Sequence, residues 1–386
     1  MLAVKVRDQA YIKRSNLHAV LELLREMQPI SRKELTRLTE MSPTSITRIV
    51  GALLTRGLIL EGRDDDFTGR GRKSIQLTIN PDGLYTLGFL VNYPRFEMCV
   101  MNFNGQILYR AQREVPREKY TVEQIADKAY QLYQSMPKGI LPAPERLMGV
   151  GVGMSGIVDH TTGTVEYSAQ MYWRTVDVRA AFERSFGLPV WVENDVKAGL
   201  IGEKARLGIP TKTDAAYLYL APAGIATAVT SAGELVRGER NAAGEVAHIA
   251  LTPSDLQCDC GRYGCLQLHL VEHYLVKRAQ KIEPAIESME SVVAAYRQHL
   301  AWAQVLISDF KRHLLLVIAL LDSFCNPAKI FLCGDIFAKM DSLLHDILDD
   351  EHVIVATDYA GASIHGAAMI AMRHTLSRRL REVEEA

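Results

Sequence analysis

Apolar residues recur at helical spacing near the start of the chain. Residues 16–27 place their apolar side chains on one stripe, which predicts an amphipathic helix that Pro29 ends. The stripe consists of Leu17, Val20, Leu21, Leu24 and Met27. Ser31 and Glu34 then have the spacing of a capping box, in which each side chain accepts a hydrogen bond from the other residue's backbone N–H. A second short helix is therefore predicted to begin at this point.

A third helix is predicted to follow after a tight turn. Ser42 is placed to cap it, and Pro43 occupies its first position, where a missing N–H costs nothing. Its apolar stripe consists of Ile46, Ile49, Val50, Leu53 and Leu54. Apolar runs at 58–60 and 75–79 predict two strands around a loop. Three short helices followed by two strands predict a winged helix-turn-helix domain over residues 1–80.

From residue 84 onward, short apolar runs alternate with longer helical segments. The runs predict strands at 87–91, 96–103, 147–154, 189–192, 216–220, 225–231 and 329–332. Asn104 and Gly105 form a hairpin signal that predicts a returning strand from residue 106. Glycines at alternate positions over 149–156 predict close backbone packing and are only a weak signal for phosphate binding. The order of elements predicts an α/β body behind the helical head.

Composition separates a basic head from an acidic body. The 386 residues are 48% hydrophobic, which is enough for two or three packed units. Lys and Arg number 44 against 45 Asp and Glu, and the formal charge of -1 excludes a basic nucleic-acid coat or an acidic disordered tail. Residues 1–80 contain 14 basic and 9 acidic residues, a surplus of +5, whereas the remainder carries -6.

The sequence also bears on the compartment. No apolar run approaches the roughly 20 residues that span a bilayer, and residues 1–8 lack the apolar stretch of a signal peptide. Six cysteines are sparse for a disulfide scaffold, and three of them lie within eight positions. The chain is therefore predicted to be cytoplasmic, without membrane insertion, and to use these cysteines for metal binding.

The predicted third helix presents small hydroxyls and one guanidinium near its N-terminal end. This chemistry suits base edges and phosphates in a DNA major groove, and the loop between the two strands adds a basic tip for the backbone or minor groove. The candidate DNA-binding residues are Ser42, Thr44, Ser45, Thr47 and Arg48 on the helix and Arg70, Arg72 and Lys73 in the loop. The acidic run at 64–66 counts against DNA binding, because it would repel phosphates unless it points away from the DNA. The alternative function of the head is a protein-interaction module.

One histidine and three cysteines lie close together in the second half of the chain. They are His248, Cys258, Cys260 and Cys265. One imidazole and three thiolates make a closed tetrahedral set, so the pattern predicts one structural zinc ion per chain and no open position for catalysis. Gly261 and Gly264 supply the tight turns that such a loop needs. The alternative is a chance grouping of buried thiols.

Five motifs extend across the body. They are GVGVGMSGIVD at 149–159, VENDVKA at 192–198, AGEVAH at 243–248, CDCGRYGCL at 258–266 and NPAKI at 326–330. In combination they resemble the ROK family of repressors, open reading frames and sugar kinases, and within it the NagC/Mlc-type regulators with an N-terminal winged helix. The resemblance implies a two-lobed actin/hexokinase-like (ribonuclease H-like) domain with a sugar in its cleft. The domain is expected to span residues 81–386. Its smaller lobe is expected to consist of about 81–195 and a C-terminal helix at about 366–386. The larger lobe, with the zinc loop, is expected at about 196–365.

Candidate sugar-binding residues follow from the same resemblance. Asn194 and Asp195 come directly after a predicted strand and before a helical stretch, at the strand end where α/β clefts form. The resemblance implies that Asn194, Asp195, Glu245 and His248 hydrogen-bond sugar hydroxyls, with Asp195 at the position of the kinases' catalytic base. Gln267 stands where the family normally has Glu. An Asn-Asp helix cap without a ligand is the alternative.

The loops that hold ATP phosphates in the family's sugar kinases differ in this chain. The Asp-x-Gly-Gly-Thr loop corresponds to Leu-Val-Asn-Tyr-Pro at 90–94, and the Gly-Thr-Gly-Ile-Gly loop to Ala-Pro-Ala-Gly-Ile-Ala at 221–226. Backbone donors are lost at both loops, and the first also loses the carboxylate that positions Mg²⁺. The chain is therefore predicted to have no catalytic residues and no kinase activity.

The combined expectation is a sugar-responsive transcriptional regulator, specifically a repressor. It is expected to bind operator DNA, a sugar or sugar phosphate, and further copies of itself in a dimer or tetramer on an inverted-repeat operator. Two other classes stay open. One is an ATP-dependent sugar kinase with an accessory DNA-binding head, and the other is a regulator that answers to a phosphotransferase-system protein and has a vestigial cleft.

Overall fold

The structure, a computed structural model, describes residues 9–63, 75–116, 119–222, 224–348 and 350–382. These segments form a helical head up to residue 79 and a two-sheet α/β body from residue 85 onward. Within the described segments, no helix has both the length and the apolar composition needed to cross a membrane.

The head consists of three helices and a three-stranded antiparallel sheet. Its elements are α1 Gln9–Met27, β1 Ile30–Ser31, α2 Arg32–Thr39, α3 Pro43–Thr55, β2 Ile59–Arg63 and β3 Ile75–Ile79, with the sheet order β1-β3-β2. The three predicted helices and both predicted strands are present. The predicted loop residues Arg70, Arg72 and Lys73, together with 64–66, lie outside the described residues.

Local signals set the ends of these helices, with two departures from expectation. The Ser31 Oγ accepts a hydrogen bond from the Glu34 N–H at 3.3 Å, as predicted. The Glu34 carboxylate lies 3.5 Å from the Arg37 guanidinium, so an ion pair replaces the reciprocal half of the capping box. The first four positions of the α1 stripe are buried, but Met27 departs from that pattern and is 45% exposed, because the helix ends there.

The first sheet of the body has the strand order β11-β7-β4-β5-β6. Its strands are β4 Tyr85–Asn92, β5 Arg95–Asn102, β6 Ile107–Glu114, β7 Leu147–Met154 and β11 Val190–Asn194. Strands β4, β7 and β11 are parallel, while β4, β5 and β6 form hairpins. One of these hairpins turns at the predicted Asn104 and Gly105. The neighbouring elements are α4 Val122–Gln134, α5 Val178–Phe186 and a small sheet of β8 Ile157–Asp159, β9 Thr164–Ser168 and β10 Trp173–Asp177.

The second sheet has the strand order β14-β13-β12-β15-β16. Its strands are β12 Ala215–Ala221, β13 Gly224–Ser231, β14 Glu234–Leu235, β15 Lys329–Cys333 and β16 Val353–Ala356. The helices of this part are α7 Gln267–Leu270, α8 Glu272–Gln280, α9 Met289–Arg297, α10 Ala301–Cys325, α11 Asp335–Met340 and α12 His345–Leu348. One face of the long helix α10 is buried in the core of this lobe, through Phe310, Leu314 and Val317.

Two helices connect the sheets. Helix α6 spans Asp195–Arg206 and packs on β12 and β13, while α13 spans Tyr359–Glu382 and packs on β4 and β7. The two helices are so close that a Cβ added at Gly366 would lie 1.8 Å from the Ala198 carbonyl oxygen, so only glycine fits there. This contact fixes the start of α6 relative to both sheets. The predicted α/β body is confirmed.

The head and the first sheet share one apolar core. Leu24 of α1 and Ile79 of β3 belong to the same buried cluster as Phe103, at the β5–β6 turn, and Met372 of α13. The Arg25 guanidinium lies 4.8 Å from the centroid of the Phe103 ring, in cation–π geometry. The head is therefore packed onto the body through side chains on both sides of the β3–β4 connection.

Candidate functional site

The first candidate residue, Asn194, caps α6. Its Oδ1 accepts hydrogen bonds from the Val196 and Lys197 N–H groups at 3.0 and 3.1 Å. Its Nδ2 donates to the Gly156 carbonyl oxygen at 3.0 Å. The side-chain carbonyl of Asn194 therefore acts as a helix cap, which is the alternative to sugar binding. One N–H of its side-chain amide remains available to a ligand.

Asp195 is a buried carboxyl group at the same helix start. It is 3% exposed, and its Oδ1 accepts a hydrogen bond from the Val196 N–H at 3.0 Å. The stacked rings of Tyr219 and Tyr359, with centroids 3.8 Å apart, belong to the same buried surroundings. Burial raises the pKa of Asp195 to about 6, and the negative charge of Glu245 adds to that rise. The carboxyl therefore changes charge close to neutral pH.

Lys197, which sequence reasoning did not select, is the third residue of α6 and is 4% exposed. Its Nζ donates a hydrogen bond to the Asn241 carbonyl oxygen at 2.7 Å. Burial lowers the pKa of Lys197, while the charges of Glu193 and Glu245 oppose that change. A cation is thus held among the carboxylates of the candidate site. The sequence signal that could have identified Lys197 is a lysine among the mostly apolar first residues of a predicted helix.

Two contacts join this region to the loop that follows β14. The Arg237 guanidinium donates to Glu193 Oε2 from Nε at 2.9 Å and from Nη2 at 2.6 Å, and Glu193 is buried. The His160 Nδ1 lies 3.1 Å from Asn241 Oδ1. Glu193 and His160 belong to the first lobe, whereas Arg237 and Asn241 follow the second sheet. The loop is therefore attached to both lobes.

The same loop carries Glu245 and His248. Gly244, with a φ of +98°, accepts a hydrogen bond at its carbonyl oxygen from the Thr227 N–H at 2.9 Å, and a Cβ there would lie 1.9 Å from the Thr227 oxygen. Only glycine allows this approach to β13. Glu245 keeps solvent access, but the surrounding protein raises its pKa while Lys197 and His248 oppose the rise. Glu245 is therefore close enough to Lys197 for their charges to interact.

The predicted metal ligands converge. His248 Nδ1 and the Sγ atoms of Cys258, Cys260 and Cys265 all lie within 4.8 Å of one another. Two of these separations are 3.6 Å, between Cys258 Sγ and His248 Nδ1 and between the Sγ atoms of Cys260 and Cys265. A tetrahedral zinc ion with bonds of about 2.0 to 2.3 Å needs its ligand atoms about 3.5 to 3.8 Å apart. The donor set and these two separations therefore fit a closed zinc site.

Gln267 lies beside the metal ligands. Its Nε2 donates to Cys258 Sγ and to the Tyr274 hydroxyl, both at 3.1 Å. The Tyr274 hydroxyl in turn donates to Asp259 Oδ2 at 2.8 Å. Both amide hydrogens of Gln267 are thus used, one by a candidate metal ligand and one by Tyr274, and only its oxygen stays available for another partner.

The start of α3 is the candidate surface in the head. Ser42 Oγ accepts from the Ser45 N–H at 3.1 Å and caps the helix as predicted, and Ser42 Oγ also lies 2.9 Å from Ser45 Oγ. Thr47 Oγ1 donates to the Pro43 carbonyl oxygen at 2.9 Å. Thr44, Thr47 and Arg48 are exposed, whereas Ser45 is half-buried. The structure thus brings all five predicted helix residues to one end of α3.

The two segments that are expected to correspond to the kinases' phosphate loops form tight hairpin turns. Asn92 pairs with Arg95, so only Tyr93 and Pro94 connect β4 to β5. Ala221 pairs with Gly224, so Pro222 and residue 223 connect β12 to β13, and residue 223 lies outside the described part of the chain. Pro94 and Pro222 have no backbone N–H to offer a phosphate.

The two-lobed α/β body and the motifs along it can be compared with known protein families. The ROK family profile matches residues 93–373, and the chain belongs to the ROK family. The solved structure of a ROK family transcriptional regulator, a homologue of the Escherichia coli MLC protein, superposes with a TM-score of 0.79 at 21% identity, over 96% of this chain and 98% of that one.

Two further comparisons represent the regulators and the kinases of the family. The xylose repressor of Bacillus subtilis (strain 168) is 23% identical over 344 residues, which is 89% of this chain and 88% of the repressor. The ROK hexokinase of Thermus thermophilus has a TM-score of 0.62 at 22% identity, over 75% of this chain and 99% of the hexokinase. The predicted ROK fold is confirmed, and the match to the regulator covers 96% of this chain, compared with 75% for the match to the hexokinase.

Proposed function

We propose that the protein is a sugar-responsive transcriptional repressor, with a DNA-binding head at 1–80 and a sugar-sensing body at 81–386. One observation carries this proposal. The same chain combines a basic head, in which the start of α3 is exposed, with a body that has a polar cluster at the start of α6. The match to a xylose repressor over most of both chains supports the same conclusion.

The polar cluster has the chemistry to bind vicinal hydroxyls. Asp195 and Glu245 accept hydrogen bonds, Asn194 has one amide N–H to donate, and His248 can present Nε2 when its Nδ1 faces a metal. Gln267 contributes its free oxygen. Lys197 adds a positive charge among these groups, which would suit a sugar phosphate as well as a neutral sugar. The effector class proposed is therefore a sugar or sugar phosphate.

The proposed cofactor is one structural zinc ion per chain. His248, Cys258, Cys260 and Cys265 would hold it, and four protein ligands leave no position for a reacting group. Such an ion would cross-link the loop that begins near Glu245. Its proposed role is to keep that loop in place beside Asp195.

The proposed response to sugar is a shift between two arrangements of the lobes. A sugar can lower operator affinity only by the difference between its affinities for those arrangements. Because the head shares its core with the first sheet, a movement of that lobe also moves α3. Two heads in a dimer or tetramer would then lose their fit to an inverted-repeat operator.

Arg48→Ala is expected to relax sequence preference at one position in each half of the operator, at a cost of about 1 to 3 kcal/mol. Arg48 is exposed at the start of α3, where a guanidinium can reach base edges. Binding of full-length protein should be measured on a duplex selected from a random-sequence library and on a scrambled duplex, across a salt series.

Two variants serve as comparisons for Arg48→Ala. Arg72→Ala, in the loop predicted from the sequence, should weaken binding to both duplexes equally and flatten the salt dependence. Arg184→Ala removes an exposed guanidinium from α5, and it should change neither duplex. If Arg48→Ala leaves the ratio of the two affinities intact, α3 does not read the operator. If no duplex binds the wild-type chain, the head is an interaction module.

The effector should be sought with the selected operator already bound. Aldoses, amino sugars and their 6-phosphates, beginning with xylose, should be added to the complex, and one of them should release the DNA. Release by a purified phosphotransferase-system protein, with no response to any sugar, would instead support the alternative of a protein-controlled regulator.

No sugar in that panel is expected to be phosphorylated from ATP. The turns at Tyr93–Pro94 and at Pro222 leave no glycine-rich loop of the family's kinase form, and Asp195 alone cannot position a triphosphate. A coupled assay with Mg²⁺ and ATP is the measurement. Turnover within the kinase range of about 1 to 100 per second would make the kinase alternative correct.

A further inference from the structure

The turn between β9 and β10 presents a tyrosine ring to solvent. Tyr172, in this turn, is 58% exposed, whereas its neighbours Met171 and Trp173 are buried. Trp173 Nε1 donates a hydrogen bond to the Tyr120 carbonyl oxygen at 2.9 Å, and the Met171 N–H donates to Ser168 Oγ at 3.3 Å. Both neighbours of Tyr172 are therefore fixed in the body, and the ring between them is held at the surface.

The backbone of this hairpin is strained at two residues. Tyr172 has a φ of +58°, and Thr175, in β10, has a φ of +49°. This left-handed region favours glycine and is unusual for a bulky or β-branched residue. The register of β10 with β9 also skips Thr175. Backbone strain and strand irregularities are concentrated at functional sites, so a tyrosine at a position that suits glycine indicates a function for its ring.

The hairpin lies beside the polar cluster at the start of α6. Asn194 Nδ2 donates to the Gly156 carbonyl oxygen at 3.0 Å, and a Cβ added at Gly156 would lie 2.2 Å from the Tyr167 carbonyl oxygen. The preceding residue, Ser155, donates from Oγ to Gln170 Oε1 at 3.1 Å. Two consecutive residues therefore join Asn194 to the end of β9 and to the turn. The turn is the next surface beyond the polar cluster on this side of the first lobe.

Two cations accompany the exposed rings of the hairpin. Lys119 Nζ lies 5.6 Å from the centroid of the Tyr172 ring, and the Arg174 guanidinium lies 4.9 Å from the centroid of the Tyr167 ring. Tyr167 is 41% exposed and pairs with Arg174 across the hairpin, so these two side chains share its outward face. The rings offer apolar platforms and the cations offer hydrogen-bond donors. A sugar ring, with apolar C–H faces and a hydroxyl-bearing edge, is complementary to both.

We propose that the turn with Tyr172 is a second sugar subsite, where a pyranose ring stacks that is linked glycosidically to the sugar in the polar cluster. This inference rests on the proposed function, because it needs a first sugar beside Asn194 and Asp195. It makes the effector a β-1,4-linked disaccharide or longer oligosaccharide. In such chains of xylose, glucose or N-acetylglucosamine the ring substituents are equatorial. Both faces of each ring therefore carry axial C–H groups and can lie flat on a tyrosine.

Two variants separate the ring of Tyr172 from the backbone that holds it. Tyr172→Gly removes the ring and keeps the turn, because glycine adopts a φ of +58° without strain. Its thermal unfolding temperature should not fall below that of wild type. Tyr172→Phe is the matched control, since it keeps the aromatic platform and loses only the hydroxyl group.

The test is calorimetric titration of the full-length protein without DNA, using matched pairs of ligands. The pairs are methyl β-xyloside and xylobiose, methyl β-glucoside and cellobiose, and the methyl β-glycoside of N-acetylglucosamine and diacetylchitobiose. Each methyl glycoside has the bond at the anomeric carbon but lacks the second ring. For one pair, the disaccharide should bind wild type roughly tenfold more tightly than the methyl glycoside. Tyr172→Gly should abolish that difference and leave the methyl glycoside unaffected, whereas Tyr172→Phe should behave as wild type.

Three results would overturn the second subsite. One is binding of a monosaccharide or sugar phosphate with no gain from a second ring in any pair. Another is a preference for a disaccharide that Tyr172→Gly leaves intact, because the second ring would then lie elsewhere. The third is an equal loss for both members of a pair, because the ring would then act on the first sugar. All three include sugar binding by wild type and so leave the proposed function standing, whereas a wild type that binds no sugar or sugar phosphate would overturn both.

Discussion

Cys265→Ala is expected to release zinc and to destabilise the protein by an amount on the order of 4 kcal/mol. The four ligand atoms lie within 4.8 Å of one another, and removal of one ligand opens the closed set. Because the free energy of metal binding is part of the folding free energy, loss of the ion should be felt as loss of stability. The loop with Glu245 and His248 should lose its attachment, so the operator complex should no longer respond to sugar.

The measurements are zinc content per chain and thermal unfolding with and without a chelator. Cys99→Ala is the matched control, since Cys99 is also a fully buried thiol but lies in β5, far from the cluster along the chain. The Cys99→Ala variant should be less stable than wild type, because a packed side chain is shortened, but it should keep its zinc. Absence of metal in gently purified wild-type protein, together with equal stability of the two variants, would show that the cluster is only a group of thiols.

Asp195→Asn is expected to stabilise the fold above pH 6 and to abolish the sugar response. The pKa of Asp195 is about 6 in the folded protein, compared with 3.8 for an ordinary Asp. The folded state therefore holds the proton more tightly than the unfolded state. This contribution to stability is complete below about pH 4 and is lost as the pH rises through 6, and the loss amounts to about 3 kcal/mol. An asparagine cannot ionise, so the variant avoids the loss.

The free energy of unfolding should be measured between pH 4 and 8 by urea denaturation. The advantage of Asp195→Asn over wild type should grow between pH 4 and 6 and then stay level. Asp127→Asn, at an exposed position on α4, should follow the wild-type curve. The same Asp195→Asn protein should keep its operator affinity but stay bound when sugar is added. If Asp195→Asn gains no stability over wild type as the pH rises, the pKa of Asp195 is not raised. If the variant still releases DNA on addition of sugar, Asp195 does not take part in sugar binding.

Local signals were sufficient to predict much of this protein. Ser42 and Pro43 gave the start of α3, because a cap depends on residues within one turn of the helix. The spacing of Cys258, Cys260 and Cys265 predicted that these candidate metal ligands lie together, because ligands from one loop are close in sequence. The five motifs together predicted the ROK fold. Each of these predictions rests on residues that are close in sequence or on a resemblance across the whole body.

The parts that sequence reasoning missed depend on contacts between distant segments. Nothing near Lys197 in the sequence indicates that its ammonium bonds to Asn241, 44 positions further on. The approach of Tyr359 to the surroundings of Asp195 depends on how α13 packs against α6. The two hydrogen bonds that the Gln267 amide donates near the candidate metal ligands are likewise set by tertiary packing. Local spacing carries no information about these pairs.

The core shared by head and body limits how far this regulator can be treated as interchangeable parts. A chimera that receives its first eighty residues from a relative would place foreign side chains against Phe103 and Met372, where Leu24 and Ile79 now pack. Interiors are close-packed, so a mismatch there leaves voids or clashes, which cost stability. A transplanted head would therefore need its matching residues in the β5–β6 turn and in α13. The unit of exchange is a head together with the surface that it rests on.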